Sequence, residues 1–249
     1  MGEQRVIVAI MIGRRGSTGF PGKNTAQVAG RPMAWWPLDT ARLTPEIDRL
    51  YVSTDDPDIA KIGRDLGATI IERPDYLASN AALGEHVFVH AHEIITGDLS
   101  NQGGVAELYV LLMANAVTVS TEQLSEGIAA MRQDSTIDSA VTVSRYNMWS
   151  PLRARTIDGS GLLRPFVPFE TFGDPATLDC DRDSQGDVWF ADMGASIIRP
   201  ANLDDLDGGL LPQKWMGQRI HPIRNEGGLD VDYPYQLPQA EWWLSNRMS

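Results

Sequence analysis

Cysteine is almost missing: Cys180 is the one thiol in 249 residues. That excludes an intramolecular disulfide and a cysteine-based zinc site, and it suits a reducing, cytoplasmic setting. Positive charge is scarce too. Twenty-one Lys and Arg stand against 33 Asp and Glu, a net charge of −12. Such a chain repels a nucleic-acid backbone and an anionic membrane surface. Long hydrophobic runs are lacking. The apolar stretch 6–12 is too short to cross a bilayer, and it has no small-residue cleavage pattern of a secretion signal. Met1-Gly2 opens like a myristoylation signal, but Val6 stands where Ser or Thr is needed. There is no internal repeat and no low-complexity tract.

What is present is a hydrophobic content of 43%, enough for one large domain over 1–249 or a domain with an appendage. RVIVAIMI reads as a buried strand that runs into a glycine-rich loop. Pro32 opens an expected helix through Leu43, with Pro37 as a kink or a delay. RLYVSTDD is a second strand. Asp56-Pro57 is an N-cap and N1 pair for the helix DIAKIGRDLGA. ATIIERP is a third strand, GEHVFVHAHEIITG a helix, and AELYVLLMAN a fourth strand. TEQLSEGIAAMRQD is an amphipathic helix capped by Ser120 or Thr121, and DSAVTVSRY a fifth strand. The alternation predicts an α/β fold, with a mainly parallel sheet and helices on both faces. Ligands of such folds bind beyond the carboxyl ends of the strands. Residues 147–185 break the pattern and read as an excursion, a hairpin serving as a lid or a dimer contact. The chain then returns to sheet and helix and finishes with QLPQAEWWLSNRM.

The loop GRRGSTGFPGKN, residues 13–24, sits at a strand end. Gly16, Gly19 and Gly22 let backbone N–H groups approach an anion. Arg14 and Arg15 add bidentate donors and Lys23 a mobile point charge. In an acidic chain this cluster points to a small anionic ligand such as a triphosphate; the plain alternative is a solvated turn. It is not a P-loop, because Ser17 stands at that motif's first glycine and Asn24 follows the lysine. Nor is it the dinucleotide fingerprint, since Arg15 follows Gly13 by two. Far downstream, GGLDVDYP places Asp230 and Asp232 two apart. On extended chain they face one side and can share magnesium with substrate phosphates; the alternative is a pair of loop acids or a helix cap.

The loop resembles the A-R-G-G-S-K-G…K-N signature of the cytidylyltransferases that make CMP-activated acid sugars, the CMP-N-acylneuraminate synthetases. The resemblance implies a three-layer, Rossmann-like nucleotidyltransferase fold. It also implies that Arg14, Gly16, Ser17, Gly19, Lys23 and Asn24 hold the phosphates of CTP, with Arg15 beside them. Arg15 replaces a usual Gly and Thr18 a usual Lys, so the charge is redistributed. IIERPDYLAS resembles the R-P-x-x-L-A segment, which implies that Arg73 lies at the cytosine; Asn80 follows where Asp is usual. The family's Asp-x-Asp before its last helix holds magnesium, which carries over to Asp230 and Asp232. LLMANAVTV departs from L-L-Q-P-T-S-P, placing Met113 and Asn115 beside the nucleotide in place of Gln and Thr.

Arg153, Arg155, Arg164 and Arg182 put positive charge on the excursion, either as ordinary surface groups or for an acidic acceptor. Arg182 resembles the family's R-Q arginine, and Arg164 and Arg182 are the acceptor-binding candidates. VWFADMGASII resembles V-Y-x-x-N-G-A-I-Y, with Met193 for Asn. His86, His90 and Glu93 have a zinc-compatible spacing but lack further ligands, so a helix face is the simpler reading. Trp35-Trp36 and Trp242-Trp243 read as core or dimer contacts. The acidic neighbours Asp179, Asp181 and Asp183 disfavour Cys180 as a nucleophile.

The expected activity is magnesium-dependent transfer of CMP from CTP to an acidic, nonulosonate-like acceptor, catalysed by Arg14 and Lys23, in a cytoplasmic homodimer without nucleic-acid or membrane partners. A phosphonate acceptor, a sugar phosphate with another nucleotide, and a non-catalytic nucleotide-binding homologue stay open.

Overall fold

Strand β1 (Gln4–Ile12) shows why the sheet lies in the middle of its layers. Its side chains alternate between faces, and both sets are buried. Ile7, Ala9 and Met11 pack in one cluster with Leu38, Ala41, Ile59, Leu124 and Ile128. Val6, Val8, Ile10 and Ile12 pack in another with Val87, Phe88, Ala91, Ile95 and Leu99. Helices therefore cover both faces, and the strand has no polar side to offer water.

The structure is a computed structural model and describes residues 3–17, 19–79, 82–226, 228 and 230–247. After β1 come a short hairpin of β2 (Gln27–Val28) and β3 (Arg31–Pro32), helix α1 (Trp35–Leu43), β4 (Arg49–Thr54), α2 (Pro57–Asp65) and β5 (Thr69–Glu72). Next are α3 (Asp75–Ala78), α4 (Gly84–Ser100), β6 (Gly104–Met113), α5 (Thr121–Gln133) and β7 (Ser139–Arg145). A second hairpin, β8 (Arg155–Ile157) and β9 (Leu163–Pro165), precedes β10 (Trp189–Ile198), α6 (Ala201–Asp204), β11 (Ile220–Asn225) and α7 (Leu237–Arg247). The seven-stranded sheet runs β11-β7-β10-β6-β1-β4-β5. β1 pairs in parallel with β4 and β6, and β4 with β5; β10 runs antiparallel to β6. The carboxyl ends of β1, β4, β5 and β6 thus share one edge, with the change of direction beside β1. Backbone bonds stitch that edge: Gly13 N–H to Ser53 C=O at 3.3 Å, Arg73 to Thr54 at 3.2 Å, Ala114 to Ile12 at 3.0 Å.

The helix starts follow local chemistry. Asp56 accepts from the N–H groups of Asp58 and Ile59, with Pro57 at the first helical position. Ser120 and Gln123 form a reciprocal capping box on α5. The helix expected from Pro32 begins only at Trp35. Residues before it form the β2–β3 hairpin, and Pro37 falls in the first turn, where its missing N–H breaks no bond. Val28, Met33, Val117, Val231, Ala240 and Leu244 form a third cluster that joins this hairpin to α7.

By its contacts the chain divides into two compact units: one up to Val143 together with the stretch from Asp192, the other Ser144–Ala191. The second unit contains residues 147–185. Within it Asn147 donates to Asp183 at 2.7 Å, Arg153 to the Cys180 carbonyl at 2.6 Å, and Arg155 lies 5.3 Å over the Phe169 ring. Trp149, Ile157, Leu163 and Phe166 on this unit are each about two-thirds exposed or more. Among the described residues no helix is long and apolar enough to cross a membrane.

The β2–β3 turn yields a test. Ala29 (φ 47°) and Gly30 (φ 78°) both adopt positive φ, as a two-residue type I′ turn requires. An alanine there carries a left-handed penalty of about 1 kcal/mol that asparagine largely escapes. Ala29→Asn should raise the urea midpoint by the equivalent of about 0.5–1 kcal/mol at unchanged slope. A lower midpoint would show that the turn has another geometry.

Candidate active site

The loop after β1 is shaped by what it must pass. A Cβ on Gly13 would stand 2.7 Å from Ala114 Cβ and 3.1 Å from Ile59 Cδ1, so the chain needs glycine to leave the sheet beside β6. Arg14 then bonds at both ends. Its carbonyl accepts from Asn24 Nδ2 at 3.1 Å, and its Nη1 donates to the Ser79 carbonyl at 2.9 Å. The Arg15 N–H donates to Asp55 Oδ1 at 3.1 Å, and the Ser17 N–H to the Arg15 carbonyl at 3.2 Å. Gly22, at φ 74°, turns the chain into the short helical turn Lys23–Thr25. This buries Asn24 and aims Lys23 at the far end of the sequence. At Gly16 a side chain would meet no protein atom within 4 Å, so no contact within the chain demands glycine there.

That far end arrives on the continuation of β6. Ala116 forms an isolated antiparallel bridge with Asp230, and the Val231 N–H donates to the Asn115 carbonyl at 3.2 Å. The Asn115 amide donates to the Val231 carbonyl at 3.1 Å and to the Asp230 carboxylate. Two residues on, Asp232 accepts from the Lys23 ammonium, an ion pair between groups 209 positions apart. The Asp232 carbonyl lies 3.2 Å from where a Gly19 Cβ would stand, so glycine at 19 permits the approach. Asp230 and Asp232 therefore have different partners, Asn115 and Lys23. Burial pushes the Asp230 carboxyl up to about 6, the Asp232 charge adds to this, and Lys23 opposes it.

Arg73 closes the third side. It is 8% exposed, and its Nη2 donates to the Ser53 carbonyl at 2.8 Å. Its Nε has no hydrogen-bond partner, and neither has the buried Asn24 Oδ1. Burial brings the guanidinium down to about 10; Asp55 opposes the shift and Arg14 adds to it. Buried polar atoms are nearly always satisfied, which leaves these two open to bonds from a ligand.

Two small cavities meet here. One, about 200 Å³, is lined by Arg14, Lys23, Asn24, Arg73, Met113 and Asn115, among others. The other, about 300 Å³, is lined by Arg14, Ser17, Gly19, Lys23, Asn24, Asp232 and Tyr233. Arg14, Lys23 and Asn24 border both, so the two are neighbours. The structure brings together Arg14, Ser17, Lys23, Asn24, Arg73, Met113, Asn115, Asp230 and Asp232. Arg15 and Gly16 are on the same loop and exposed. Asn80 and Thr18 lie outside the described residues. Arg164 and Arg182 belong to the unit Ser144–Ala191, where each has its own acid: Asp158 at 2.8 Å and Asp183 at 3.1 Å.

Four contributors escape a sequence reading. Gly13 and Ser79 act through backbone proximity alone. Asp55, read as a turn residue, holds the loop at Arg15 and faces Arg73. Tyr233 had one visible signal, its place directly after the acidic pair. His86, His90 and Glu93 line a separate cavity of about 630 Å³ with Asp204. Among the described residues no group of three or more His, Cys, Asp or Glu can hold a metal. A cation at Asp230 and Asp232 would have to complete its shell with ligand oxygens and water.

The raised Asp230 pKa has a signed consequence. The folded chain holds this proton more tightly than the unfolded chain. The contribution is therefore stabilising at low pH and is lost as pH rises from about 4 to about 6. Without divalent cation, Asp230→Asn should gain on the order of 2 kcal/mol over the parent between pH 4 and pH 7. Urea denaturation in chelator at both pH values reads this. Parallel pH profiles for the two proteins would refute it.

The chain is similar to known proteins. A family described as cytidylyltransferase matches residues 8–143. The N-acylneuraminate cytidylyltransferase of Oncorhynchus mykiss is 36% identical over 81 residues, 32% of this chain and 19% of that protein. The 3-deoxy-manno-octulosonate cytidylyltransferase of Nitratidesulfovibrio vulgaris is 37% identical over 71 residues, 28% of each chain. This chain thus spans less than a third of the length of either. The 3-deoxy-manno-octulosonate cytidylyltransferase of Yersinia pseudotuberculosis serotype O:1b is 35% identical over 234 residues, 86% of this chain and 88% of that one. In fold, the chain is similar to CMP:2-keto-3-deoxy-manno-octonic acid synthetase complexed with CTP, with a TM-score of 0.66, 15% identity and coverage of 98% and 99%. It is also similar to 4-diphosphocytidyl-2C-methyl-D-erythritol synthase from Anaerococcus prevotii, with a TM-score of 0.62, 14% identity and coverage of 97% and 96%. The family match over more than half of the chain, with the Yersinia relative aligned along most of both lengths, means that this chain belongs to the cytidylyltransferase family.

Proposed function

We propose that the chain transfers CMP from CTP to an acidic, nonulosonate-like acceptor, with release of pyrophosphate and dependence on magnesium. The observation that carries the reading is the pairing of Lys23 with Asp232. It closes the basic loop and the acidic segment around neighbouring cavities, both lined by Arg14 and one of them by Arg73. The relatives are named for this reaction type.

In this reading the acceptor oxygen attacks the α-phosphorus of CTP and pyrophosphate leaves. Arg73, with its unpartnered Nε, donates to the cytosine carbonyl. Arg14, Lys23 and the Gly16 N–H face the phosphates, on the loop that also carries Arg15 and Ser17. These are preorganised donors where negative charge builds up, which is the main protein contribution to phosphoryl transfer. Asn24 supports Arg14, while Met113 and Asn115 floor the nucleoside end.

Asp230 and Asp232 suit magnesium: they are two neighbouring carboxylates, one of them raised in pKa by burial and by the charge of the other. When bound, the cation would neutralise charge on the phosphates. Asp230 and Asp232 would hold it, with Asn115 fixing the orientation of Asp230. No residue is assigned as general base. Arg164 and Arg182 are the proposed acceptor contacts. The exposed apolar residues on Ser144–Ala191 favour this excursion as a homodimer surface, because such patches are rarely left to water. A cytoplasmic enzyme fits the composition.

Pyrophosphate release with magnesium tests the proposal over CTP, UTP, ATP and GTP, and over 2-keto sugar acids, phosphonates and sugar phosphates. The expected result is turnover with CTP and a sugar acid. Turnover with a phosphonate, or with another nucleotide and a sugar phosphate, would replace the acceptor or the base. No turnover with any pair would leave a binding protein. The Asp230→Ala, Asp232→Ala double variant should lose on the order of a hundredfold or more in kcat with an unchanged circular dichroism spectrum. Activity within a few-fold of the parent would refute the cation site.

A further inference from the structure

We infer that Tyr233, backed by Tyr235, walls the terminal-phosphate end of the site and positions the leaving pyrophosphate. The inference rests on the proposed reaction only in needing a polyphosphate in the 300 Å³ cavity.

Three observations converge on this pair. First, Tyr233 lines the cavity bordered by Arg14, Ser17, Lys23 and Asp232 but not the one bordered by Arg73 and Met113. It therefore stands at the end away from the proposed base contact. Second, its ring reaches the phosphate loop: Cε1 is 3.6 Å from where a Gly19 Cβ would be. The Lys23–Asp232 ion pair fastens the loop to the acidic segment beside that ring. Third, the ring is held. The N–H groups of Asp232 and Tyr233 both donate to Gln236 Oε1, at 2.7 and 2.8 Å. Tyr235 stacks on Tyr233 with centroids 5.5 Å apart and planes within 9°.

Yet the two rings are 50% and 75% exposed beside a strongly charged cavity. Two large aromatic faces in that place contribute little to the core. What they contribute is an apolar surface next to an anion. A ring wall displaces water from one side of the phosphates, and attraction to Arg14 and Lys23 grows as the local dielectric falls. The ring rather than the hydroxyl carries this role, since an apolar wall needs no donor. The effect falls on the phosphates at the 300 Å³ cavity and leaves the nucleoside monophosphate end untouched.

Calorimetric titration with magnesium tests it, using CTP, CMP and inorganic pyrophosphate against the parent, Tyr233→Phe, Tyr233→Ala and Tyr235→Ala. Tyr233→Ala should weaken CTP and pyrophosphate by about tenfold and CMP by less than about twofold. Tyr233→Phe should match the parent, and Tyr235→Ala should fall between. Equal losses for CMP and CTP would show a general structural role and overturn the inference, as would unchanged CTP affinity in Tyr233→Ala. A Tyr233→Phe protein as impaired as Tyr233→Ala would overturn it too. If the parent binds pyrophosphate through Tyr233 but not CTP, the cytidylyl reading fails and this inference stands. If it binds neither, both fail.

Discussion

The pairing of Lys23 with Asp232 is the contact on which the site depends. It draws together two segments that the fold alone would leave as separate loops at one sheet edge. The loop after β1 is there because parallel strands end on one side. The acidic segment is there because Asn115, just past β6, binds it through main chain and side chain. The ion pair is worth little as a stability device, since Asp232 is half exposed. Its importance is positional. It sets a cation and an acid facing each other across one cavity, the arrangement needed to grip a polyanion and its counter-cation together.

Charge explains why the grip is built this way. The chain carries −12 overall and would repel a triphosphate at long range. Arg14, Arg15, Lys23 and Arg73 concentrate positive charge at one strand edge and reverse the sign locally. Asp230 and Asp232 then add negative charge inside the same site, which by itself weakens phosphate binding. In the proposed reaction a divalent cation would join carboxylate to phosphate; within the chain, Asn115 and Lys23 partner the two acids.

Much of this was legible, for identifiable reasons. β1 announces itself by a β-branched run, α2 by Asp56-Pro57, and α5 by Ser120 with Gln123 three residues on, each a local rule with a local cause. The β2–β3 hairpin was not legible. Its strands have two residues each, too few for a period, and its turn is Ala-Gly rather than the Asn-Gly that signals type I′. Met193 shows the converse case: it holds φ 58°, where the resembled family has asparagine, a residue that tolerates that region. The loop glycines could be read as a group but not one by one. Gly13 is required by close approach, Gly19 eases one, and Gly16 faces open space. The excursion's arginines were countable, but sequence could not show that Arg164 and Arg182 each have an acid beside them.

Arg73 carries the argument from fold to selectivity. A buried guanidinium costs free energy unless its donors are met, and one of these donors is unmet. The strand edge fixes the cost in place: β5 delivers the residue, Ser53 holds one arm, and Arg14 adds like charge. A ligand that supplies an acceptor to Nε recovers that cost, and one that presents a donor there adds to it. A site built to bond a polar group rejects a partner without that group far more strongly than an apolar pocket rejects a size mismatch. In the proposed reaction the burial penalty at Arg73 therefore favours a base that presents an acceptor to Nε, as the cytosine carbonyl does.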